Sequence, residues 1–172
     1  VINPGSTSTK IALFAGHRCR FDVEVKHNAA KLGKYLTIIA QDELRREALA
    51  KALADHNVPP RSIDIFMACG GLLRPVPEGI YEVNQKMLED LEICQYGQHA
   101  SNLGAILAAE IAGVYGKKAY VANPVVMDEL SDSARLSGHP DIPRRSIFHA
   151  LSHKAAARKV AAKLGKPYRK CN

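Results

Sequence analysis

An antiparallel start followed by alternating helices and strands is the feature that most constrains the fold of this chain. Strand patterns at residues 1–3, 10–14 and 21–25 are joined by tight turns, which predicts a three-stranded meander. Further elements are predicted at residues 41–56 (helix), 63–68 (strand), 84–94 (helix), 101–116 (helix), 118–122 (strand) and 147–164 (helix). Strands separated by helices usually join a sheet in parallel, so the sequence predicts an α/β fold with a mixed sheet.

Capping residues and proline set the ends of the predicted helices. Asn84 and Ser146 are placed to cap the helices that follow them, and residues 72–82, with two prolines and a glycine, predict a loop. In the first long helix Arg45 is predicted on the exposed side. The predicted buried stripe of that helix is apolar: Leu44, Ala48, Leu49 and Leu53.

Length and composition indicate a globular protein. At 172 residues, with 47% hydrophobic and 24% charged residues, the chain has room for one domain or slightly more. No apolar run approaches the roughly 20 residues of a membrane helix, and no secretory leader pattern opens the chain. Its four cysteines form no C-x-x-C pair, which argues for a cytoplasmic setting and against zinc or redox motifs. Because Val1 already lies in a strand pattern, we expect the chain to be clipped at the front.

Positive charge is concentrated at the end of the chain. Residues 117–172 carry twelve basic and four acidic side chains, and no acidic residue follows Asp141. One interpretation is a site for nucleotide or nucleic acid; the other is a solvated helix face or a surface for a partner. Among residues 150–172 only Tyr168 is aromatic, which argues against nucleic acid.

The opening segment N-P-G-S-T-S-T-K carries the most specific chemical pattern. It lies between two predicted strands and offers a glycine, several hydroxyls, an amide and a lysine, which suit phosphate oxygens and hydrated magnesium. It is not a Walker A loop, because a strand rather than a helix follows Lys10. A phosphate-gripping β-hairpin and a plain Ser/Thr-rich turn both fit this pattern.

A series of motifs in collinear order then points to a family. They are N-P-G-S-T-S-T-K-I-A-L-F (3–14), G-G-L-L-R-P-V (70–76), Y-E-V-N-Q-K-M-L-E-D-L (81–91), H-A-S-N-L-G-A (99–105), N-P-V-V-M-D-E-L (123–130) and S-I-F-H-A-L-S-H-K-A-A-A-R (146–158). The sequence resembles the butyrate kinases, members of the acetate kinase group of acyl kinases. Residues 17–60 contribute little to the resemblance.

The resemblance implies a fold and a reaction. The fold would be a ribonuclease-H-like domain of the actin, Hsp70 and sugar-kinase type (ASKHA). The reaction would be reversible phosphoryl transfer from ATP to a short-chain carboxylate, giving acyl phosphate and ADP with Mg²⁺. Expected partners are the carboxylate, the nucleotide, and a second copy of the chain or a missing C-terminal half. Membrane binding is not expected.

By position, the resemblance also implies roles for individual residues. Asn3, Ser6, Ser8 and Lys10 would form the phosphate loop, with Asn3 a weak magnesium ligand. His99 would lie near the transferring phosphoryl group, and His149 would stabilise the transition state, with His153 one helical turn later on the same face. Phe148, Arg74, Gly70 and Gly71 would line the substrate pocket. A zinc site at His149 and His153 lacks a third ligand and the glutamate of H-E-x-x-H.

Two positions depart from the family pattern. The family reads G-R-G-G where this chain has Cys69 before Gly70, and a thiol cannot replace a guanidinium. It usually has aspartate where this chain has Asn123, a weaker magnesium ligand. We therefore expect impaired turnover, or alternatively an inactive remnant or partner-binding fragment of such a kinase.

Length is a third departure. Family members are about twice as long, so residues 1–122 would be the N-terminal acyl-kinase domain. Residues 123–172 would be the hinge and the first, basic helix of an incomplete second domain. That helix would face the missing half.

Overall fold

In the computed structural model, which describes residues 1–171, six strands form one mixed sheet. The strands are β1 (Ile2–Pro4), β2 (Ser8–Ala15), β3 (Arg18–Lys26), β4 (Ile65–Ala68), β5 (Ile80–Glu82) and β6 (Lys118–Ala122). Their order is β3-β2-β1-β4-β6-β5. Strands β1, β4 and β6 run parallel, whereas β2, β3 and β5 are antiparallel to their neighbours. Because parallel strands end at the same edge, the segments after β1, β4 and β6 meet there.

Six α-helices accompany the sheet. They are α1 (Ala29–Leu32), α2 (Asp42–Asp55), α3 (Gln85–Glu92), α4 (Asn102–Val114), α5 (Asp132–Arg135) and α6 (Ala150–Lys163). The predicted α/β class, the opening meander and the N-terminal cap of α3 are confirmed; the Asn84 side chain accepts a 2.9 Å hydrogen bond from the Met87 amide. No helix within residues 1–171 is both long and apolar enough to cross a bilayer.

Helix α4 forms the centre of the core. It packs against β1, β4 and β6, and its residues Leu103 and Leu107 are almost wholly buried. Each such leucine contributes roughly 1.5–3 kcal/mol by leaving water. On the sheet, Ile2 pairs with Ile11 across β1 and β2, and both side chains are buried. The opposite face of these two strands carries the cross-strand pair of Asn3 and Lys10, both polar.

Three local expectations are wrong. Residues 80–82 are not loop but form the edge strand β5, paired only with β6. Three residues within a proline- and glycine-rich segment carry no period that sequence reasoning can detect. Ser146 does not cap a helix: its buried hydroxyl donates to the Met127 carbonyl, and α6 begins only at Ala150.

The third error concerns Arg45 in α2. This residue is fully buried rather than exposed, while Leu44 and Ala48 are only half-buried. Arg45 shares a stripe with Leu49 and Ala52, so the buried face is rotated relative to the apolar pattern. Hydrogen bonds rather than hydrophobicity account for this burial, because the guanidinium has neutral acceptors on every side.

Candidate functional site

A cleft of about 700 Å³ lies at the edge where the parallel strands end. In open α/β sheets, ligands bind in the crevice beyond the carboxyl ends of the strands. Residues from five segments line the cleft: Asn3, Pro4, Gly5, Cys69, Gly70, Leu72, His99, Ser101, Ala122, Asn123, Val125, Ile147, His149, Ser152 and His153. Residues far apart in the sequence therefore meet at one surface, and they include five of the predicted site residues.

The phosphate hairpin is only partly in the cleft wall. Asn3 lines the cleft and pairs across the sheet with Lys10, so both side chains lie on one face of the sheet. Lys10 is exposed but is not part of the wall. Ser8 donates a 2.7 Å hydrogen bond to Glu24, and Ser6 is exposed in the turn. Asn3 is thus the predicted loop residue that the structure brings to the cleft.

Gly70 and Gly71 allow close packing at the base of the cleft. Gly70 has φ +76°, and a Cβ there would lie 2.7 Å from both Pro124 Cβ and Val121 Cγ1. A Cβ on Gly71 would meet Asn102 of α4 at 2.7 Å. Of the two, Gly70 lines the cleft, whereas Gly71 is buried against Asn102 and Leu91. Both glycines thus let the chain after β4 press against its neighbours.

His99 lies in the cleft wall just before α4. Its Nδ1 accepts a 3.2 Å hydrogen bond from the Ser101 amide and lies 2.7 Å from the Ser101 hydroxyl. An acceptor at Nδ1 leaves the proton of the neutral imidazole on Nε2. His99 can therefore act as a hydrogen-bond donor through Nε2.

His149 and His153 both line the cleft, His149 from the residue before α6 and His153 from within the helix. His149 precedes α6 in the left-handed conformation (φ 51°, ψ 52°), and its carbonyl accepts from the amides of Ser152 and His153. His153 lies in the first turn of α6, with its ring centroid 6.3 Å from that of Phe148. Phe148 is about half exposed and is not part of the wall. His149 therefore lies just before the helix rather than within it, and the two histidines share the cleft wall.

The two positions that differ from the family pattern, Cys69 and Asn123, also line this cleft. Cys69 follows β4, and burial raises the pKa of its thiol, which favours the neutral form. Asn123 follows β6 in the left-handed conformation (φ 52°). Its Nδ2 donates to Ser152 Oγ at 3.0 Å, while its buried Oδ1 has no partner within residues 1–171. An orphaned amide oxygen is a free ligand position.

Arg74 lies away from the cleft. Its guanidinium donates to Asp90 Oδ2 at 2.9 Å, and Lys86 reaches the other oxygen at 3.1 Å. Hydrogen bonding from Arg74 lowers the pKa of this buried carboxyl against the opposing effect of its burial. Arg74 is thus occupied in anchoring α3, and the structure does not bring it to the other predicted substrate residues.

Buried Arg45 and Thr9, together with half-buried His27, form a hydrogen-bonded group behind the hairpin that sequence reasoning missed. Arg45 bonds to the carbonyls of Gly5 and Ser8 and to the Thr9 hydroxyl, which in turn contacts His27. One signal was available: Arg45 precedes Leu49 by four residues, and both lie on the same helix face. An arginine within a buried helical stripe indicates a specific polar partner.

The chemistry of the cleft wall is compatible with an anionic ligand to which a metal ion is already bound. Among the described residues that line it, none is acidic, lysine or arginine, and three are histidines. Asn123 Oδ1 and the Asn3 amide are oxygen donors of the kind magnesium accepts. They fit one or two positions around a Mg²⁺ ion held by phosphates, but without a carboxylate they do not form a complete cation site. No group of three metal-ligating side chains occurs within residues 1–171.

Comparison with known proteins finds relatives along the whole chain. It is 48% identical over 172 residues to butyrate kinase 1 of Clostridium acetobutylicum, covering 100% of this chain and 48% of the relative. It is 47% identical over the same length to a probable butyrate kinase of Enterococcus faecalis, covering 47% of that protein. The chain thus spans about half the length of the curated relatives it matches. No family model matches the sequence.

A solved structure supports the fold. The acetate kinase of Porphyromonas gingivalis superposes with a TM-score of 0.54 at 15% identity, covering 97% of this chain and 49% of that protein. At this identity the likeness concerns the fold alone. It confirms the expected mixed α/β fold of the acetate kinase type.

Proposed function

We propose that this chain, a relative of the butyrate kinases that matches the N-terminal half of such an acyl kinase, provides the phosphoryl-transfer cleft of a carboxylate kinase. The reaction would convert ATP and a short-chain carboxylate such as butyrate into acyl phosphate and ADP, reversibly. One observation carries the proposal: Asn3, His99 and His149, from three separate segments, line one cleft at the carboxyl edge of the sheet.

In the proposed reaction a carboxylate oxygen attacks the γ-phosphorus of ATP in line, and the bond from that phosphorus to the ADP oxygen breaks. Little covalent chemistry falls to the protein, because catalysis of phosphoryl transfer depends on positioning and on charge stabilisation. His149 and His99 would donate hydrogen bonds to the equatorial oxygens as their negative charge develops. His153 would support the same oxygens from the first turn of α6.

Other predicted residues have more peripheral roles in this proposal. Ser6, Ser8 and Lys10 would contact the outer phosphates from the exposed hairpin. Gly70, Gly71 and Phe148 would shape the acyl pocket, with Gly70 the one in the cleft wall. When bound, Mg²⁺ neutralises phosphate charge; Asn3 and Asn123 Oδ1 are the residues of this chain that would hold it.

The domain boundary after Ala122 is part of the proposal. Helix α6 supports it, because most of its residues are exposed, including Val160. Lys154 of α6 pairs with Glu129, and Asn123 bonds to Ser152, so few contacts hold the helix. Its basic face would bind the remainder of a longer protein or a second copy, rather than nucleic acid.

A second candidate is a non-catalytic remnant that binds phosphate or a carboxylate weakly. The specific observation that favours it is the absence of any guanidinium or ammonium group among the described residues of the cleft wall. Cys69 lies where the family has arginine, and Asn123 where it usually has aspartate. We propose that these two changes lower turnover rather than abolish the function.

The test is acyl phosphate formation from butyrate, ATP and Mg²⁺, trapped with hydroxylamine, in the protein as its gene encodes it. We expect slow formation that requires all three components and rises about 10²-fold or more in the double variant C69R/N123D. The matched control is C69S/N57D. It changes the same cysteine and another asparagine with a left-handed backbone, but it adds neither a guanidinium nor a carboxylate to the cleft. A folded double variant that forms no acyl phosphate would favour the remnant.

A further inference from the structure

A buried arginine lies behind the phosphate hairpin without a counter-charge. Arg45 of α2 has no exposed surface, and its guanidinium donates to Gly5 O at 2.9 Å, Ser8 O at 3.0 Å, Thr9 Oγ1 at 3.1 Å and Gln41 Oε1 at 2.9 Å. All four acceptors are neutral. Within residues 1–171 it forms no ion pair, unlike its neighbour Arg46, which pairs with Asp42 and Glu110.

These contacts fix both ends of the turn between β1 and β2. The Gly5 amide donates to Ser8 O at 2.7 Å, and Arg45 holds the carbonyls of the same two residues. The peptide bond between Gly5 and Ser6 is trans, as are the others within residues 1–171, so the Ser6 N–H points opposite to the Gly5 carbonyl. Because Arg45 draws that carbonyl inward, the Ser6 amide is directed away from the core, where it can meet an anion.

Thr9 extends the arrangement to β3. Its hydroxyl accepts from Arg45, so its own proton is free to bind His27 Nε2, 2.8 Å away. The His27 amide donates to Thr7 O at 2.8 Å, which fixes a third carbonyl of the turn region. Arg45, Thr9 and His27 thus form one hydrogen-bonded relay, and the relay requires an unprotonated His27 Nε2.

Packing alone does not account for this arginine. A buried charge without a carboxylate partner is costly, and a hydrophobic side chain of similar volume is usually the more stable choice. The positive charge is useful only where negative charge approaches. The hairpin in front of it is the segment whose amide and hydroxyl groups suit phosphate.

We propose that Arg45 is a positioning residue for phosphoryl transfer: it holds the Gly5–Ser8 turn in its anion-binding shape and supplies uncompensated positive charge beneath it. The inference rests on the proposed kinase function. It assigns to α2 a part in the site, although no residue of α2 lines the cleft.

The test compares R45M and R45K with R46M in the protein as its gene encodes it. We expect kcat to fall about 10²-fold in R45M, with KM for butyrate within about threefold, because a displaced turn misplaces the phosphoryl group. R45K should recover little, since one ammonium group cannot reach the four acceptors that the planar guanidinium of Arg45 contacts. R46M removes an exposed guanidinium from the next position and should keep kcat within about threefold. An R45M kcat within threefold of the wild type overturns the inference.

A second variant covers the case in which R45M fails to fold. T9V keeps the shape of the side chain and breaks the relay between Arg45 and His27. Burial, Arg45 and Lys31 all lower the pKa of His27, so the wild type should lose kcat on acidification below pH 6.5 as His27 gains a proton. T9V should lower kcat about tenfold at neutral pH. It should also weaken the dependence of kcat on pH below pH 6.5. An unchanged kcat and pH profile in T9V overturns the inference.

The affinity for Mg-pyrophosphate, measured by calorimetry, distinguishes failure of this inference from failure of the proposed function. If the wild type shows no kinase activity, the kinase proposal fails, and binding then decides the role of Arg45. We expect R45M, or T9V where R45M does not fold, to bind the probe at least tenfold more weakly than the wild type and R46M. Equal affinity in all variants overturns the role of Arg45.

Discussion

Asn123 Nδ2 donates a 3.0 Å hydrogen bond to Ser152 Oγ, and this bond joins the end of β6 to the first turn of α6 across the floor of the cleft. The same side chain keeps Oδ1 buried without a partner among the described residues. One amide therefore both fixes the position of α6 and leaves an oxygen free. In the proposed function this free oxygen is the atom that would bind Mg²⁺.

We predict that N123D lowers the Mg²⁺ concentration needed for half-maximal acyl phosphate formation about tenfold. A carboxylate binds magnesium more strongly than an amide, and aspartate tolerates the left-handed backbone that Asn123 adopts. The measurement is a Mg²⁺ titration at fixed ATP. N57D is the matched control, because Asn57 is an exposed left-handed asparagine at the end of α2. Equal Mg²⁺ dependence in N123D and the wild type would count against Asn123 as a ligand.

The thiol of Cys69 should react slowly with iodoacetamide at neutral pH. Burial raises its pKa, so the reactive thiolate forms only as the pH rises, and its rate should still increase above about pH 8.5. Exposed Cys19 provides the internal comparison for access. Peptide mass spectrometry after timed labelling gives both rates. Labelling of Cys69 as fast as Cys19 at pH 7 would contradict the burial described here.

Replacing Gly70 by alanine should destabilise the protein by about 2–4 kcal/mol. The new Cβ would overlap Pro124 and Val121, and the positive φ would add strain. Gly113 in α4 is the matched control, because its Cβ would meet open space and G113A should stabilise the helix by up to about 1 kcal/mol. Urea denaturation measures both changes. A G70A variant as stable as G113A would show that the β4 end is packed differently.

Asp90 should give the fold a dependence on acid. Arg74, and then Lys86, lower the pKa of its buried carboxyl, so the stabilisation is present above the ordinary aspartate pKa of about 4. It is lost as the pH falls through the lower value in the folded state. Thermal unfolding from pH 7 to pH 3 should therefore show a steeper loss in the wild type than in D90N. The control is D55N, because Asp55 forms an exposed ion pair with Lys51. This variant should show the same dependence of unfolding temperature on pH as the wild type.

Most of the fold could be predicted because its signals are local. The alternation of β3, the Asn84 cap and the apolar run of α4 each depend on neighbours in sequence. The burial of Arg45 depends on carbonyls 37 and 40 residues away, which no local pattern encodes. Ser146 failed as a cap for the same reason, since its hydroxyl binds Met127 and the helix begins four residues later.

The residues of the site could be predicted from sequence motifs but not from hydrophobic periodicity. Asn3, His99 and His149 belong to separate motifs, and only the parallel arrangement of β1, β4 and β6 brings them to one edge. Arg74 shows the limit of this reasoning. Its motif placed it beside the glycines, whereas the nearby Asp90 of α3 binds its guanidinium.

The reverse reaction tests the central claim most directly: ATP formation from butyryl phosphate and Mg-ADP, followed with luciferase, in the wild type and in H149N. Asparagine tolerates the left-handed backbone of His149 but places its shorter amide differently, and H139N in an exposed loop is the control. The account predicts ATP above the protein-free blank in the wild type and in H139N, and a loss of 10²-fold or more in H149N, down to the blank where the wild-type rate is low. No ATP from the folded wild type, or equal rates in all three proteins, would contradict it.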